Sequence, residues 1–249
     1  MNQILVYVDE GVEGRSARHA LSALIGLVGL GRVRRVNHWT LRMGGWEAST
    51  ALVVMPGGRD LPYLRRLGGQ GNRRLRQFVE QGGAYLGLCA GGYYGAARVA
   101  FEVGGPLEVV GPRELGFYPG TASGPAYGKN QFDYKSEAGA RAARIIHLPT
   151  GKRASVYFNG GCAFLGPQEQ AVAHYADLPG TPAAIVHCRV GLGHALLSGV
   201  HLEANPWRLS SPQPWLQELR ATDPHRRTLL RTLLQPLLTR TEAPATTAA

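Results

Sequence analysis

Cys89 sits in the run Gly83-Ala-Tyr-Leu-Gly-Leu-Cys89-Ala-Gly-Gly92, apolar before the cysteine and glycine-rich after it. A buried strand passing straight into a helix through such a run must turn sharply at the cysteine. Its side chain then projects from the top of a sheet, and Gly87 and Gly91 remove the Cβ atoms that would clash there. Helix-start amides at that junction favour a thiolate over a thiol. Thiolate chemistry also needs a base within reach. The segment Ser198-Gly-Val-His201-Leu-Glu203 offers one. If it is an extended strand end, its i,i+2 spacing puts His201 and Glu203 on one face. Histidine then takes the thiol proton while glutamate holds the imidazole in the useful tautomer. Taken singly, each residue has a plainer reading: a buried inert thiol, a surface histidine, a capping glutamate. Their combination is what points to catalysis.

Two further segments belong with this trio. Met55-Pro56-Gly57-Gly58 follows an apolar run and lies at the carboxyl end of a strand, the side on which open α/β sheets bind ligands. The amide of Gly58, with that of Ala90, would form an oxyanion hole; Gly58 serves equally well as a permissive turn residue. In Val156-Tyr157-Phe158-Asn159-Gly160-Gly161, Tyr157 and Asn159 have the aromatic and amide groups of a ligand pocket, or simply end a strand before a turn. Cys162 and Cys188 have no base-and-acid pattern beside them and are expected to be structural thiols.

These segments require a scaffold, and the apolar pattern outlines it. Strands are predicted at Ile4 to Val8, Val33 to Val36, Ala51 to Met55 and Ala84 to Leu88, with helices over Ser16 to Leu27, over Asn72 to Gln81 and just after Cys89. This β-α-β rhythm implies an α/β fold: an open, mostly parallel sheet with helices on both faces. From about Phe101 to Leu165 the rhythm breaks into short apolar runs between Gly and Pro turns, including Arg144 to Leu148 and Ser155 to Phe158. Ala171 to Tyr175, Ala183 to Cys188 and His194 to Leu197 read as further strands, the last two joined by a hairpin turn. Pro212 to Ala221 and Pro224 to Leu238 read as helices. We take residues 1–240 as one domain and 241–249 as a disordered tail.

Composition excludes some classes. The amino-terminal residues read as a buried strand rather than a leader, and no stretch approaches the roughly 18 apolar residues of a membrane span, so a cytoplasmic location and no membrane partner are expected. Three cysteines make neither a disulfide framework nor a metal-ligand cluster. The formal net charge of +10 invites a nucleic-acid reading, but the arginines are scattered along the chain and no nucleic-acid motif accompanies them. An arginine-rich solvated face is the expectation.

The PGG loop, the GLCAGG turn and the HLE segment resemble class I glutamine amidotransferase-like domains, which implies a flavodoxin-like fold. Tyr93-Tyr94 and the 156–161 segment resemble, in particular, the amino-terminal domain of biotin–protein ligases. The likeness runs over about residues 3–204. It implies a triad of Cys89, His201 and Glu203, oxyanion roles for Gly58 and Ala90, and no metal or organic cofactor. One position departs from the pattern: glutaminase domains carry a glutamine four residues after the nucleophile, where this chain has Tyr93, which cannot offer an amide's donor and acceptor together. Tyr93 is therefore placed in the substrate pocket with Tyr157 and Asn159, and glutamine is not the expected substrate. No segment reads as a ligase catalytic domain, so ligation is not implied, and an amidotransferase subunit would need a separate acceptor or synthase protein. The leading expectation is a cysteine hydrolase acting on a small amide-bearing metabolite through a thioester. The alternatives are a noncatalytic binding or regulatory domain and, without a dithiol motif to support it, a chaperone-like or redox relative.

Overall fold

The computed structural model of the protein describes residues 2–134 and 136–239; the tail expected at 241–249 lies outside them. Five strands form a continuous parallel run in the sheet, β1 (Gln3–Tyr7), β2 (Val33–Val36), β3 (Thr50–Met55), β4 (Ala84–Leu88) and β13 (Gly193–Ser198), in the order β2-β1-β3-β4-β13. Every residue of β3 and β4 is buried, as strands covered on both faces require. Alternation along β1 divides the core. Ile4 and Val6 face α1 (Gly14–Val28) and α7 (Asp223–Leu234), packing with Leu21, Leu24 and Leu230. Leu5 and Tyr7 face the other way, toward α2 (His38–Met43), α3 (Asp60–Leu67) and α4 (Gln70–Glu80), with Leu41, Tyr63, Leu75 and Phe78.

Beyond β13 the sheet changes character. β12 (Ala183–Val190) pairs antiparallel with β13 through the expected hairpin. The path continues through β10 (Ala163–Leu165), β7 (Tyr118–Gly124), β5 (Ala96–Phe101) and β6 (Val109–Pro112). A branch from β12 runs through β11 (Ala171–Tyr175) and β8 (Arg141–His147) to β9 (Arg153–Phe158). The sheet is thus mixed, with parallel order concentrated where Cys89 lies. The helices α2 and α3 were not foreseen; at six and eight residues they show too few turns for periodicity to register, though Asn37 caps α2 by accepting from the Thr40 amide. Asp223-Pro224, expected between the two carboxyl-terminal helices, instead opens α7, because proline is tolerated in a helix's first turn. Among the described residues, no helix is long and apolar enough to cross a membrane.

Candidate functional site

Cys89 joins β4 to α5 (Ala90–Gly95) with φ 50° and ψ −104°, a conformation that L-residues rarely adopt. Backbone bonds on both sides hold it: the Cys89 amide donates to the Ser198 carbonyl (2.8 Å), and the Gly91 amide to the Pro56 carbonyl (3.2 Å). The glycines are there for space. A Cβ on Gly87 would lie 2.2 Å from the Gly91 oxygen, and one on Gly91 would lie 2.0 Å from the Met55 oxygen. The expected sharp turn is present, although the helix after it has only six residues. Cys89 is 7% exposed, and its sulfur lies 3.7 Å from the Asn159 carbonyl oxygen.

His201 meets the Cys89 side chain, and Glu203 meets His201, by a different route from the extended strand end expected for them. β13 ends at Ser198, His201 forms an antiparallel bridge with Tyr157, and the chain then turns, the Ala204 amide donating to the His201 carbonyl (3.2 Å). It is this turn that brings the carboxylate back against the ring, with Glu203 Oε1 2.7 Å from His201 Nδ1. Both residues are buried. Burial opposes charge on the ring, but the Glu203 carboxylate and hydrogen bonds with Cys89 and Glu203 outweigh it and hold the imidazole well above its ordinary pKa. The ring thus sits between a sulfur and a carboxylate in surroundings that favour its protonated form, an arrangement able to give a proton to a leaving group.

The trio opens into a cleft of about 1040 Å³, which Gly57, Gly58, Ala90, Tyr93, Tyr157 and Asn159 also line. Gly57 packs directly against the trio: a Cβ there would lie 2.9 Å from His201 Cε1 and 3.4 Å from Cys89 Cβ. Its carbonyl accepts from the Glu13 amide (2.9 Å), so the N–H of Gly58, across the same trans peptide, points the opposite way. Ala90 begins α5, where an amide has no acceptor within its own helix. Tyr93 is buried; its hydroxyl donates to the Gly160 carbonyl (3.1 Å) and its ring meets Phe101 edge-on. Tyr93 thus ties down the Asn159-Gly160 segment as well as lining the cleft. Burial, with Glu137 adding, pushes the Tyr157 hydroxyl up to about 12. Cys162 and Cys188 are fully buried, which raises both thiols, Cys188 to about 12. Among the described residues, no group of three or more His, Cys, Asp or Glu side chains is arranged to hold a metal ion.

With this geometry in view, comparison with known proteins is decisive on kinship. Residues 2–248 match the family described as biotin-protein ligase, N terminal. The chain belongs to that family. Over 182 residues it is 44% identical to the biotin–protein ligase of Schizosaccharomyces pombe, covering 69% of this chain but only 28% of that enzyme. An uncharacterized protein of Chlamydia muridarum is 42% identical over 214 residues, covering 83% of this chain and 82% of its own length. Among solved structures, a cytoplasmic protein of Salmonella typhimurium LT2 (TM-score 0.51, 12% identity, 96% of this chain and 100% of that one) shares the fold. So does part of an exo-β-1,4-mannosidase from Opitutaceae bacterium strain TAV5 (TM-score 0.52, 13% identity, 96% and 36%).

Within this biotin-protein ligase N-terminal domain, the structure adds residues the sequence did not single out. Ser16 Oγ accepts from the Gly57 amide (2.8 Å) and fixes the PGG loop against α1. His19, buried on the next turn of that helix, lines the cleft. Arg226, expected on a solvated face, is instead buried: it pairs with Asp223 (2.6 Å) and donates to the Leu202 carbonyl, bracing the peptide between His201 and Glu203. The i,i+3 spacing of Asp223 and Arg226 was a readable signal for the pair, but its attachment to Leu202 was not.

Proposed function

We propose that this chain is a small-molecule-binding or regulatory domain related to the accessory domain of biotin–protein ligases, and that it holds a small carbonyl-bearing metabolite over Cys89. The observation that carries the reading is the cleft itself: about 1040 Å³, floored by the cysteine turn and lined by aromatic, amide and charged side chains, in a chain whose kinship is with that domain. Tyr93 supports binding over glutamine turnover, because its hydroxyl is committed to Gly160 and it has no amide to offer.

A second reading is favoured by one specific observation, the convergence of Cys89, His201 and Glu203. On this reading the domain is an amidotransferase-like cysteine hydrolase with a flavodoxin-like fold, as the PGG, GLCAGG and HLE segments suggest. The sulfur adds to the carbonyl carbon, and the Gly58 and Ala90 amides stabilise the oxyanion. The C–N bond then breaks as His201 protonates the departing amine. Water, deprotonated by His201, hydrolyses the thioester and releases the acid. An amidotransferase role would further require a separate acceptor protein.

One experiment separates the two. Native protein and Cys89→Ser are incubated with a metabolite extract supplemented with glutamine, and retained ligands, adducts and products are identified by mass spectrometry. The binding reading expects a ligand retained without turnover and glutamine left intact. A product formed only by native protein would establish the hydrolase, and a failure of both proteins to retain any metabolite would overturn the binding reading.

A further inference from the structure

Arginines enter the cleft lining from separate stretches of chain: Arg15 and Arg18 from α1, Arg59 and Arg65 from the PGG loop and α3, and Arg208 from the turn after the trio. Most of the charge here is already matched. Glu137 holds Arg15 (2.8 Å), Glu10 holds Arg65 (2.9 Å), and Arg59 lies over the Tyr134 ring, 4.4 Å from its centroid. Glu203 is occupied by His201, Asp60 by Arg113, and Glu13 caps α1 by accepting from two amides. Arg18 and Arg208 differ. Among the described residues neither is ion-paired with a carboxylate; Arg208 Nη1 donates only to Ser22 Oγ (3.0 Å), which anchors it to the same helix.

His19 follows Arg18 on α1, lines the same cleft and feels the charge of Arg208. Its Nδ1 accepts from the Asn205 amide (3.1 Å), so in the neutral ring the proton is on Nε2, a donor on the cleft wall. Burial lowers the His19 pKa and so favours the neutral ring; the Glu203 and Glu13 carboxylates oppose that shift, and the charges of His201 and Arg208 add to it. This part of the cleft lining thus combines two guanidinium groups free of ion pairs among the described residues with an imidazole donor, and the carboxylates nearest His19 are engaged elsewhere, Glu203 by His201 through Oε1 and Glu13 by the amides at the start of α1. Guanidinium forks match the planar oxygen pairs of carboxylates and phosphates, and a concave wall of one charge sign concentrates such anions.

We propose that the Arg18–His19–Arg208 corner is an anion subsite, and that the molecule held over Cys89 carries an acidic oxygen group remote from the carbonyl presented to the sulfur. The inference rests on the cleft being a small-molecule site, and its volume leaves room for a molecule with two recognised ends.

The test compares iodoacetate with iodoacetamide, which alkylate through the same carbon and differ in charge. Rates at Cys89 are read by peptide mapping in native protein, in R18Q/R208Q and in R18K/R208K, with folding checked for each. The iodoacetate-to-iodoacetamide rate ratio should fall about three- to tenfold in the glutamine variant, as expected for losing charges several ångströms away in a partly screened cleft. It should return in the lysine variant and shrink for native protein at high salt. A second measurement does not involve the sulfur: calorimetric titration of glutarate and of inorganic phosphate into native protein, Cys89→Ser and R18Q/R208Q at low salt. Binding of one anion by the first two proteins and its loss in the third would support the subsite and identify carboxylate or phosphate. A rate ratio unchanged in R18Q/R208Q overturns the proposal. If Cys89 resists both reagents, the reading of Cys89 as a reactive nucleophile fails separately, and titration decides: no heat from either anion, or equal binding by R18Q/R208Q, overturns the subsite.

Discussion

Around Cys89 the chain is fixed by backbone against backbone, whereas the cleft wall formed by Phe132, Tyr134 and Glu137 is held by the ends of side chains. On the cysteine side, Gly87, Gly91 and Gly57 leave no room for a Cβ, and amide–carbonyl bonds tie the cysteine turn to Pro56 and Ser198. On the wall, Glu137 is held by Arg15 (2.8 Å), Tyr134 by the Arg59 guanidinium, and Phe132 by Phe101 edge-on. Backbone contacts at van der Waals limits define one geometry and tolerate little change. Ion pairs between long, solvated side chains are weak and easily replaced. The contrast separates a rigid chemical floor from an adjustable wall, and three measurements test it.

Gly91→Ala should have the largest effect. Its Cβ would meet the Met55 oxygen at 2.0 Å, backbone that cannot yield without disturbing β3. A loss of about 3 kcal/mol or more is expected in denaturant unfolding. Gly26, on α1 with nothing within 4 Å of its would-be Cβ, is the control. Gly26→Ala should gain about 0.5–1 kcal/mol by restricting the unfolded chain. Similar results for the two would mean that the floor is not rigid.

Next is the pH dependence of the protonated His201. Its pKa in the folded protein lies well above its unfolded value near 6.5, so the stabilisation is complete below about pH 6.5 and disappears as pH rises through the folded value. As pH rises from about 6.5, native protein should therefore lose stability relative to His201→Asn. Cys89→Ala removes a hydrogen bond and a charge that raise the ring's pKa, so the His201 NMR titration should move downward. Parallel stability profiles for native protein and His201→Asn would show that the imidazolium contributes nothing to the floor.

The smallest effect is expected at the wall. Arg15 and Glu137 are 49% and 28% exposed, so Glu137→Gln should cost only about 0.5 kcal/mol after solvent screening. It should nevertheless loosen the wall and speed labelling of Cys89 by a bulky maleimide. A large loss of stability, with labelling unchanged, would place the wall with the floor instead.

Much of the floor was legible from residue order, because it depends on local rules. A fully apolar run before Cys89 requires a buried strand, and glycines two residues to either side permit a sharp turn. Thr50–Met55, ending at Pro56-Gly57-Gly58, places the neighbouring loop at the same sheet edge. The triad candidates were identified as residues, but their meeting was only conditional: His201 and Glu203 come together through a turn after β13, not through strand alternation. The wall, the short helices α2 and α3, the burial of Arg226 and the Arg18–His19–Arg208 corner were not legible. Each depends on long-range packing of segments whose own sequence lacks a period. Arginines that look scattered along the chain are sorted only by the fold, which buries Arg226 against the Leu202 carbonyl, gives Arg15 and Arg65 carboxylate partners, and leaves Arg18 and Arg208 facing the cleft. Local stereochemistry is encoded residue by residue, so the sequence alone determined where the cysteine turn forms. Charge pairing depends on which distant groups end up within a few ångströms, and only the tertiary structure decides that.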